Sequence, residues 1–151
     1  MKKTDSIKKR LNDRLKMTEK LTALKMELEY VYDACRGINL SGMPGGGGYK
    51  GISEPEILLA QKEKLENKVK QKQAEVDKDW DELEPIVDNL KPIETLIMNI
   101  RYRDGAEWED VCRAIYGKRG DYDIERDRYM DRVYKAHGSA LLKLADMWVP
   151  A

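Results

Sequence analysis

The spacing of apolar residues in the first part of the chain predicts one long helix. No glycine or proline occurs between Asp5 and Arg36, and apolar residues recur at alternating intervals of four and three, as in the a/d seam of a coiled coil. Gly37 follows as the expected C-cap. A helix of this length needs a partner along its apolar stripe. The seam consists of Met17, Leu21, Leu24, Leu28, Val31 and Cys35, with Leu11 and Leu15 just beside it.

A second long helix is predicted after a glycine-rich segment. Residues 37–53 include seven glycines, which predicts a flexible connector. Lys50 is followed by Gly51 rather than by Ser or Thr, so the segment does not match a phosphate-binding loop. Ser53 as N-cap and Pro55 in the first turn start the next helix. Its apolar positions keep helical spacing to about residue 84: Leu58, Leu65, Val69, Val76, Trp80 and Leu83.

The two long helices are expected to form an antiparallel, coiled-coil-like hairpin. Residues 1–36 carry ten basic and six acidic side chains, and residues 54–91 carry seven basic and eleven acidic ones. The helices can therefore attract each other along their lengths, or both charged faces can simply be solvated. The same stripes can also mediate a homodimer. Pro85 and Pro92 bound a short helix or a bent continuation that contains Ile86, Val87 and Leu90.

Beyond Pro92 the pattern changes to three shorter helices. They are predicted from Ile93 to Arg103, from Trp108 to Ile115, and from about Asp123 to Asp146, with breaks at Asp104-Gly105 and at residues 116–122. This order is typical of a helix-turn-helix domain, whose last helix enters the DNA major groove. The expected inward positions are Ile93, Leu96, Ile97, Ile100 and Tyr102, then Trp108, Val111, Cys112 and Ile115, then Met130, Val133, His137, Leu141 and Leu144.

The predicted fold is therefore all-α, with a long helical hairpin followed by a three-helix domain. The division is residues 1–36 for the first helix, 37–53 for the loop, 54–91 for the second helix with its proline-bounded end, and 92–151 for the helix-turn-helix domain.

The outer face of the last helix carries the candidate DNA-binding residues. Arg128, Arg132, Lys135 and Ser139 follow at i, i+4, i+7 and i+11, which places them on one stripe. Arg126 on the helix, with Lys118 and Arg119 in the preceding turn, can add phosphate contacts. Guanidinium groups serve either guanine readout or phosphate binding, and the sequence does not distinguish the two.

Acidic residues interleave with these cations, which favours an alternative. They are Asp121, Asp123, Glu125, Asp127 and Asp131. Since phosphate neutralisation supplies most non-specific affinity, such binding should be weak. The alternative is a coiled-coil interaction or assembly protein whose C-terminal helical bundle docks a protein partner and carries ordinary ion pairs.

Two stretches carry a resemblance to a known family. The sequence from Ile97 to Gly105, IMNIRYRDG, with Trp108-Glu109-Asp110-Val111, resembles the signature of sigma-70 region 4-like domains, above all those of phage regulators of the RinA and ArpU type. The sequence from Val133 to Leu144, VYKAHGSALLKL, is similar to the end of their recognition helix, and the SGMPGGGG segment at residues 41–48 is similar to a connector in uncharacterised phage and prophage members.

The resemblance covers residues 11–145 and implies a phage or prophage transcriptional regulator in the bacterial cytoplasm. It implies double-stranded DNA as a partner and RNA polymerase as a second one. The chain departs from the family between Ile115 and Met130, where the family often has a short turn. This longer stretch leaves the start of the recognition helix, and hence the base-contacting residues, open.

Composition argues against other classes of function. Basic and acidic residues number 28 each, 37% of the chain is charged and 7% is aromatic, a balance typical of solvated helices. No apolar run approaches the ~20 residues of a membrane span, and the charged N-terminal sequence does not read as a secretory signal.

Residues that could carry chemistry are interpreted as structural. His137, the single histidine, lies on an apolar stripe without the nucleophile or ligand set that catalysis needs. Cys35 and Cys112 are predicted to be small buried hydrophobes, and Trp80 and Trp108 to anchor the core. The acidic cluster before Pro85 is predicted to be a solvated face: Asp77, Asp79, Asp81, Glu82 and Glu84. We therefore expect no enzymatic activity, cofactor or metal.

Overall fold

The computed structural model describes residues 3–36 and 54–148. The described residues form helices and turns and no strand, which confirms the predicted all-α class. The predicted connector at residues 37–53, with its Gly37 cap, lies outside them. The helices are α1 (Asp5–Arg36), α2 (Glu54–Val87), α3 (Pro92–Met98) with a π-helical turn (Asn99–Arg103), α4 (Trp108–Tyr116) and α5 (Arg126–Met147). Among the described residues, no helix combines the length and apolar character needed to span a bilayer.

The chain divides into two compact units. The hairpin unit comprises Lys20–Glu75, and the head unit comprises the residues up to Glu19 together with those from Val76 onward. The head unit therefore contains the predicted C-terminal domain, 92–151, and also the start of α1 and the end of α2.

In the hairpin unit, the predicted seam is the buried side of α1. Leu21, Val31 and Leu65 are buried, and Leu24 and Leu28 are half-buried. The Tyr32 hydroxyl donates to Glu66 Oε1 at 2.7 Å, while Lys20 and Leu24 line a common cavity with Lys72. Because partners later on α1 lie earlier on α2, the two helices run antiparallel within this unit.

The ion pairs of the two long helices differ between the head unit and the hairpin unit. In the head unit, Arg10 of α1 binds Asp79 at 2.7 Å and Glu82 at 3.2 Å on α2. In the described part of the hairpin unit, the ion pairs join residues of the same helix, as Lys62 and Glu66 do. Ion pairs between the two helices are therefore found in the head unit, whereas the charged groups of the hairpin unit pair within one helix or contact Tyr32 of α1, as Lys62 and Glu66 do.

Two core clusters fill the head unit, and α5 contributes to both. The first core cluster joins α1, α2, the turn after α2, the end of α3, the π-helical turn and the second half of α5: Ile7, Leu11, Trp80, Leu83, Val87, Leu90, Met98, Tyr102, Ala140, Leu141 and Leu144. The second core cluster joins α3, α4, the connection between α4 and α5 (residues 117–125) and the first half of α5: Ile97, Val111, Cys112, Tyr122, Tyr129 and Val133.

Pro85 does not end α2, which continues to Val87. The proline removes one amide donor, but it lies in the last turn, and Val87 behind it is fully buried. The carbonyl groups at this helix end find side-chain donors, since Asn89 Nδ2 donates to the Pro85 carbonyl at 3.0 Å and Thr95 Oγ1 donates to the Val87 carbonyl at 2.9 Å. Of the two predicted alternatives, the continued helix is the one observed.

The predicted inward face of the third helix is wrong at two positions. Ile93 is 37% and Leu96 43% exposed, whereas Glu94 and Met98 are buried. The helix changes from α to π geometry at Asn99, and the extra residue per turn breaks the regular period on which the prediction depends. A buried carboxylate on the inward side also contradicts a purely apolar stripe.

Glu94 is buried because three donors satisfy it. It accepts hydrogen bonds from the Lys91 backbone amide at 3.2 Å and from Lys143 Nζ at 2.7 Å, and also from Ser139. Burial alone would raise the pKa of Glu94, but these hydrogen bonds outweigh it, so the pKa lies below the ordinary value. The carboxylate thereby joins the start of α3 to α5.

The last helix begins at Arg126, later than the predicted start near Asp123. Residues 117–125 form turns, in which the amides of Ile124 and Glu125 both bond to the Asp121 carbonyl. Glu125 has φ −105° and ψ 25°, outside the helical region. The apolar spacing starts only beyond this segment, so periodicity could not fix the boundary.

Arg14 is a buried cation that holds the end of the π-helical turn. Its Nε donates to the Tyr102 carbonyl at 3.0 Å and its Nη2 to the Arg103 carbonyl at 2.9 Å, while Nη1 contacts the Val76 carbonyl and Asp79. Carbonyls at a helix end have no intrahelical donor, and burial makes an unpaired one costly. The guanidinium thus supplies hydrogen-bond donors to the carbonyl groups at the end of the π-helical turn.

Gly105 makes the turn that follows possible. Its φ is +76°, a left-handed conformation that glycine adopts without strain. A Cβ atom at this position would lie 2.7 Å from Thr18 Oγ1, so the close approach of α1 also requires glycine. The predicted break at Asp104-Gly105 is confirmed.

Replacing Arg14 with methionine should lower the free energy of unfolding by about 3 kcal/mol, because the Tyr102 and Arg103 carbonyls and the Asp79 carboxylate lose a buried donor. Urea denaturation measures the loss. Lys16→Met, at an exposed position of α1, is the matched control and should change stability by less than about 0.5 kcal/mol. Equal losses in the two variants would contradict the assigned role.

Gly105→Ala should destabilise the protein by about 2 kcal/mol, since it adds both backbone strain and a clash with Thr18. Gly120→Ala, where a Cβ meets no atom within 4 Å, should be close to neutral. Gly138→Ala, in the interior of α5 and equally open, should stabilise by about 1 kcal/mol. Thermal denaturation of the three variants tests the order, and a neutral Gly105→Ala would contradict it.

Candidate nucleic-acid interface

All of the predicted DNA-binding side chains are exposed. Lys118 and Arg119 lie in the connection between α4 and α5, and Arg126, Arg128, Arg132 and Lys135 lie on α5. The helical spacing of the last three places them along one side of α5, opposite to the residues that enter the core. Ser139, the fourth residue of the predicted stripe, hydrogen-bonds to Glu94 of α3 instead.

Three tyrosines form a stack between α4, the connection and α5. The Tyr116 and Tyr129 ring centroids lie 4.8 Å apart, and those of Tyr122 and Tyr129 lie 6.1 Å apart. Tyr122 and Tyr129 are buried members of the second core cluster. This tyrosine stack therefore fixes the connection against the first turn of α5, although the connection itself is irregular.

Each ring of the tyrosine stack has an arginine above it. The pairs are Arg119 over Tyr116 at 5.7 Å, Arg126 over Tyr122 at 5.8 Å and Arg132 over Tyr129 at 5.3 Å, measured from guanidinium carbon to ring centroid. Guanidinium groups are attracted to the electron-rich faces of aromatic rings. The stacking restrains three flexible side chains without neutralising their charge, so their hydrogen-bond donors stay available to a ligand.

The sequence interpretation missed the tyrosines, although a signal was present. In each case the arginine follows the tyrosine by three or four residues, as in Tyr116 and Arg119 or Tyr122 and Arg126. On a helix or in a compact turn this spacing brings the two side chains together. Only Tyr116 and Tyr122 belong to the predicted turn at residues 116–122, and the sequence predicts no role for Tyr129.

The acidic residues of this region are partly engaged. Asp121 Oδ1 accepts a hydrogen bond from the Tyr129 hydroxyl at 2.6 Å, which lowers the pKa of Asp121 and raises that of Tyr129. Asp123 lies 3.8 Å from Arg126 in a solvent-exposed ion pair, a kind that contributes little. Asp121 thus supports the connection and also interacts with the charges of Arg128 and Arg119. Asp123 offsets the charge of Arg126.

His137 lies on the inner side of α5, as predicted. Its Nε2 is 2.7 Å from the Tyr102 hydroxyl, and its ring packs edge-on against Trp108 at 4.6 Å. Burial, with the nearby charges of Arg101 and Lys8, lowers its pKa to about 4. The imidazole is therefore neutral at physiological pH and acts as a packing and hydrogen-bonding group.

The predicted acidic face of α2 is largely solvated, with one exception. Asp77, Asp81, Glu82 and Glu84 are exposed, whereas Asp79 is half-buried between Arg10 and Arg14. Cys112 is fully buried, as predicted, and Cys35 is half-buried. No group of three or more histidine, cysteine or carboxylate side chains within the described ranges is arranged to hold a metal ion.

No protein-family model matches the chain, and neither a curated protein nor a solved structure matches it. The resemblance to sigma-70 region 4-like regulators therefore stays a prediction.

Stability should fall as the pH decreases from about 6.5 to about 4, in part because of His137. The unfolded imidazole binds a proton near pH 6.5 and the folded one only near pH 4, so between these values the unfolded state holds more protons. The contribution is up to about 3 kcal/mol.

Carboxylates also titrate in this range, so the measurement is the difference between the native chain and His137→Gln. Because the chain has a single histidine, proton NMR follows its ring directly. An imidazole that titrates near its ordinary value in the folded protein would contradict the burial argument.

Proposed function

We propose that the chain is a DNA-binding transcriptional regulator of the phage or prophage type, which reads DNA with α5 and the connection before it. The observation that supports this most directly is the line of exposed cations on α5, in which Arg132 and the flanking Arg119 and Arg126 are stacked on the tyrosine stack. An interface of this kind presents its donors in a fixed arrangement before the ligand arrives, which reduces the entropic cost of binding.

In the proposed complex, the outer face of α5 enters the major groove. Arg128, Arg132 and Lys135 would contact base edges or phosphates there, and Lys118 and Arg119 would contact the phosphates at the groove edge. The side of α5 that packs in the core holds this helix in place through Val133 and Leu144, both fully buried. The reading helix is thus rigid, as positioned side chains require.

The acidic residues between the cations determine how much of the proposed DNA affinity is non-specific. Six basic and five acidic residues lie between positions 117 and 139, so bulk attraction to DNA is small. Affinity would then depend on a few placed contacts, and recognition of a specific site would exceed non-specific binding by a wide margin.

The hairpin unit would serve self-association or contact with a protein such as RNA polymerase. Large apolar side chains are exposed on both of its helices: Met26 and Tyr30 on α1, and Ile57 and Leu59 on α2. Tyr30 is 74% exposed. Exposed apolar side chains of this size are typical of interfaces when they cluster.

The second candidate function is that of an interaction protein that docks a protein without binding DNA. The near balance of charge around α5 favours it, as do the exposed apolar residues of the hairpin unit. In that case the charged face of α5 is an ordinary solvated surface.

Fluorescence polarisation with a labelled duplex tests the proposal, first with mixed-sequence DNA and then with promoter DNA from the genome that encodes the chain. We expect binding at low salt that weakens as salt increases. Arg132→Gln should reduce affinity by about tenfold and the salt slope by about one, because a charged contact to DNA is lost.

The matched control is Arg36→Gln, which removes another exposed arginine, in this case from the hairpin unit, where Arg36 lies 3.5 Å from Asp33. It should leave DNA affinity unchanged. No binding at low salt, or the same loss in both variants, would overturn the DNA-binding proposal in favour of the interaction protein.

A further inference from the structure

A cleft in the head unit lies between α1, the π-helical turn, the start of α4 and the inner side of α5. Its volume is about 240 Å³, somewhat below the roughly 300–1,000 Å³ of pockets for drug-sized ligands. The lining residues are Lys8, Asn12, Leu15, Arg101, Tyr102, Trp108, His137 and Leu141. These residues include hydrogen-bonding groups as well as apolar and aromatic side chains.

The charge of this cleft is entirely positive. Lys8 and Arg101 are both cationic, no carboxylate lines the cleft, and neither cation takes part in an ion pair with a described acidic residue. This contrasts with the rest of the head unit, where cations and acids pair closely, as Arg10 and Asp79 do at 2.7 Å. Two uncompensated cations at one concave surface attract an anion.

Arg101 keeps unused hydrogen-bonding capacity. Its Nη1 donates to the Ala106 carbonyl at 2.8 Å, and its guanidinium lies 4.8 Å from the Trp108 ring, so its position is fixed. Its Nε is buried and makes no hydrogen bond to any described residue. A buried donor without an acceptor is costly, and it leaves this guanidinium with hydrogen-bonding capacity that the described residues do not fill.

The other lining residues suit a ligand that has both a polar and an apolar part. Asn12 and the Tyr102–His137 pair supply neutral hydrogen-bonding groups, and the Trp108 indole supplies an aromatic face. Burial is the main cause of the low pKa of His137, and the positive charges of Arg101 and Lys8 lower it further, which agrees with a cleft lined by cations.

We propose that this cleft binds a small phosphate-class oxyanion, either inorganic phosphate or a phosphate monoester with a compact apolar group. Lys8 and Arg101 would hold the charged oxygens, Asn12 would add an amide donor, and Trp108 would pack against the apolar group. An arginine and a lysine together match the several acceptor oxygens of a tetrahedral phosphate.

The cleft is separate from the candidate nucleic-acid interface. His137 and Leu141 face it from the inner side of α5, whereas Arg128, Arg132 and Lys135 project from the opposite side. The proposal therefore does not depend on DNA binding, and it is tested without DNA.

The test is a titration of the full chain with inorganic phosphate and with phenyl phosphate at constant ionic strength and neutral pH. The readout is the indole N–H cross-peak of Trp108 in ¹⁵N-correlated NMR spectra, assigned with Trp108→Phe. We expect a saturable shift of this peak. Tighter binding of phenyl phosphate identifies an organic phosphate as the preferred ligand, and equal affinities identify inorganic phosphate.

Lys8→Gln should weaken binding by about tenfold, because a charge-assisted contact is lost. The matched control is Lys9→Gln, which removes the same charge from the neighbouring exposed position on α1 without touching the cleft, and it should bind as the native chain does. Absence of a saturable shift, or equal weakening in the two variants, would overturn the proposal. Both substitutions are at exposed residues, so the fold is preserved in either case.

Discussion

The head unit depends on the hydrogen bonds that the Arg14 guanidinium makes to backbone carbonyls. Three segments far apart in the chain meet there: α1, which carries Arg14, α2 at Val76, and the end of the π-helical turn at Tyr102 and Arg103. Hydrophobic contacts are non-directional and tolerate sliding, whereas several directed hydrogen bonds from one planar group allow a single arrangement. The apolar residues of the first core cluster supply most of the burial, and Arg14 fixes the position of α1 against the turn.

The candidate interface is organised by the same principle, with aromatic rings in place of carbonyls. Tyrosines of the second core cluster extend to the surface, where arginines stack on their rings. The exposed cations are therefore held directly by the packing of the core. Tyr129 does this most clearly, because its ring is buried, its hydroxyl binds Asp121, and its face carries Arg132. The irregular connection before α5 therefore gains its order from these side chains as well as from the backbone hydrogen bonds of its turns.

Apolar periodicity predicted most of the fold because burial of large side chains dominates helix packing. The a/d seam anticipated the burial of Leu21 and Val31, and the predicted core of α5 included Val133 and Leu144, both fully buried. Apolar periodicity could not predict that Arg14 and Glu94 are buried, because a charged residue is expected to be exposed unless its partners are known. Nor could it anticipate the π-helical turn, which changes the period, or the arginine–tyrosine pairs, which depend on where an irregular connection places its rings.

The head unit is discontinuous in sequence. Ile7 and Leu11 at one end of the chain pack in the same cluster as Leu141 and Leu144 near the other, with Lys20–Glu75 inserted between them. During synthesis the ribosome releases the first of these segments long before the last, so α1 leaves the exit tunnel with an apolar face that has no native neighbour yet. The inserted hairpin can fold in that interval, but the head must wait for the final helix, as is common when sequence-distant segments share one core.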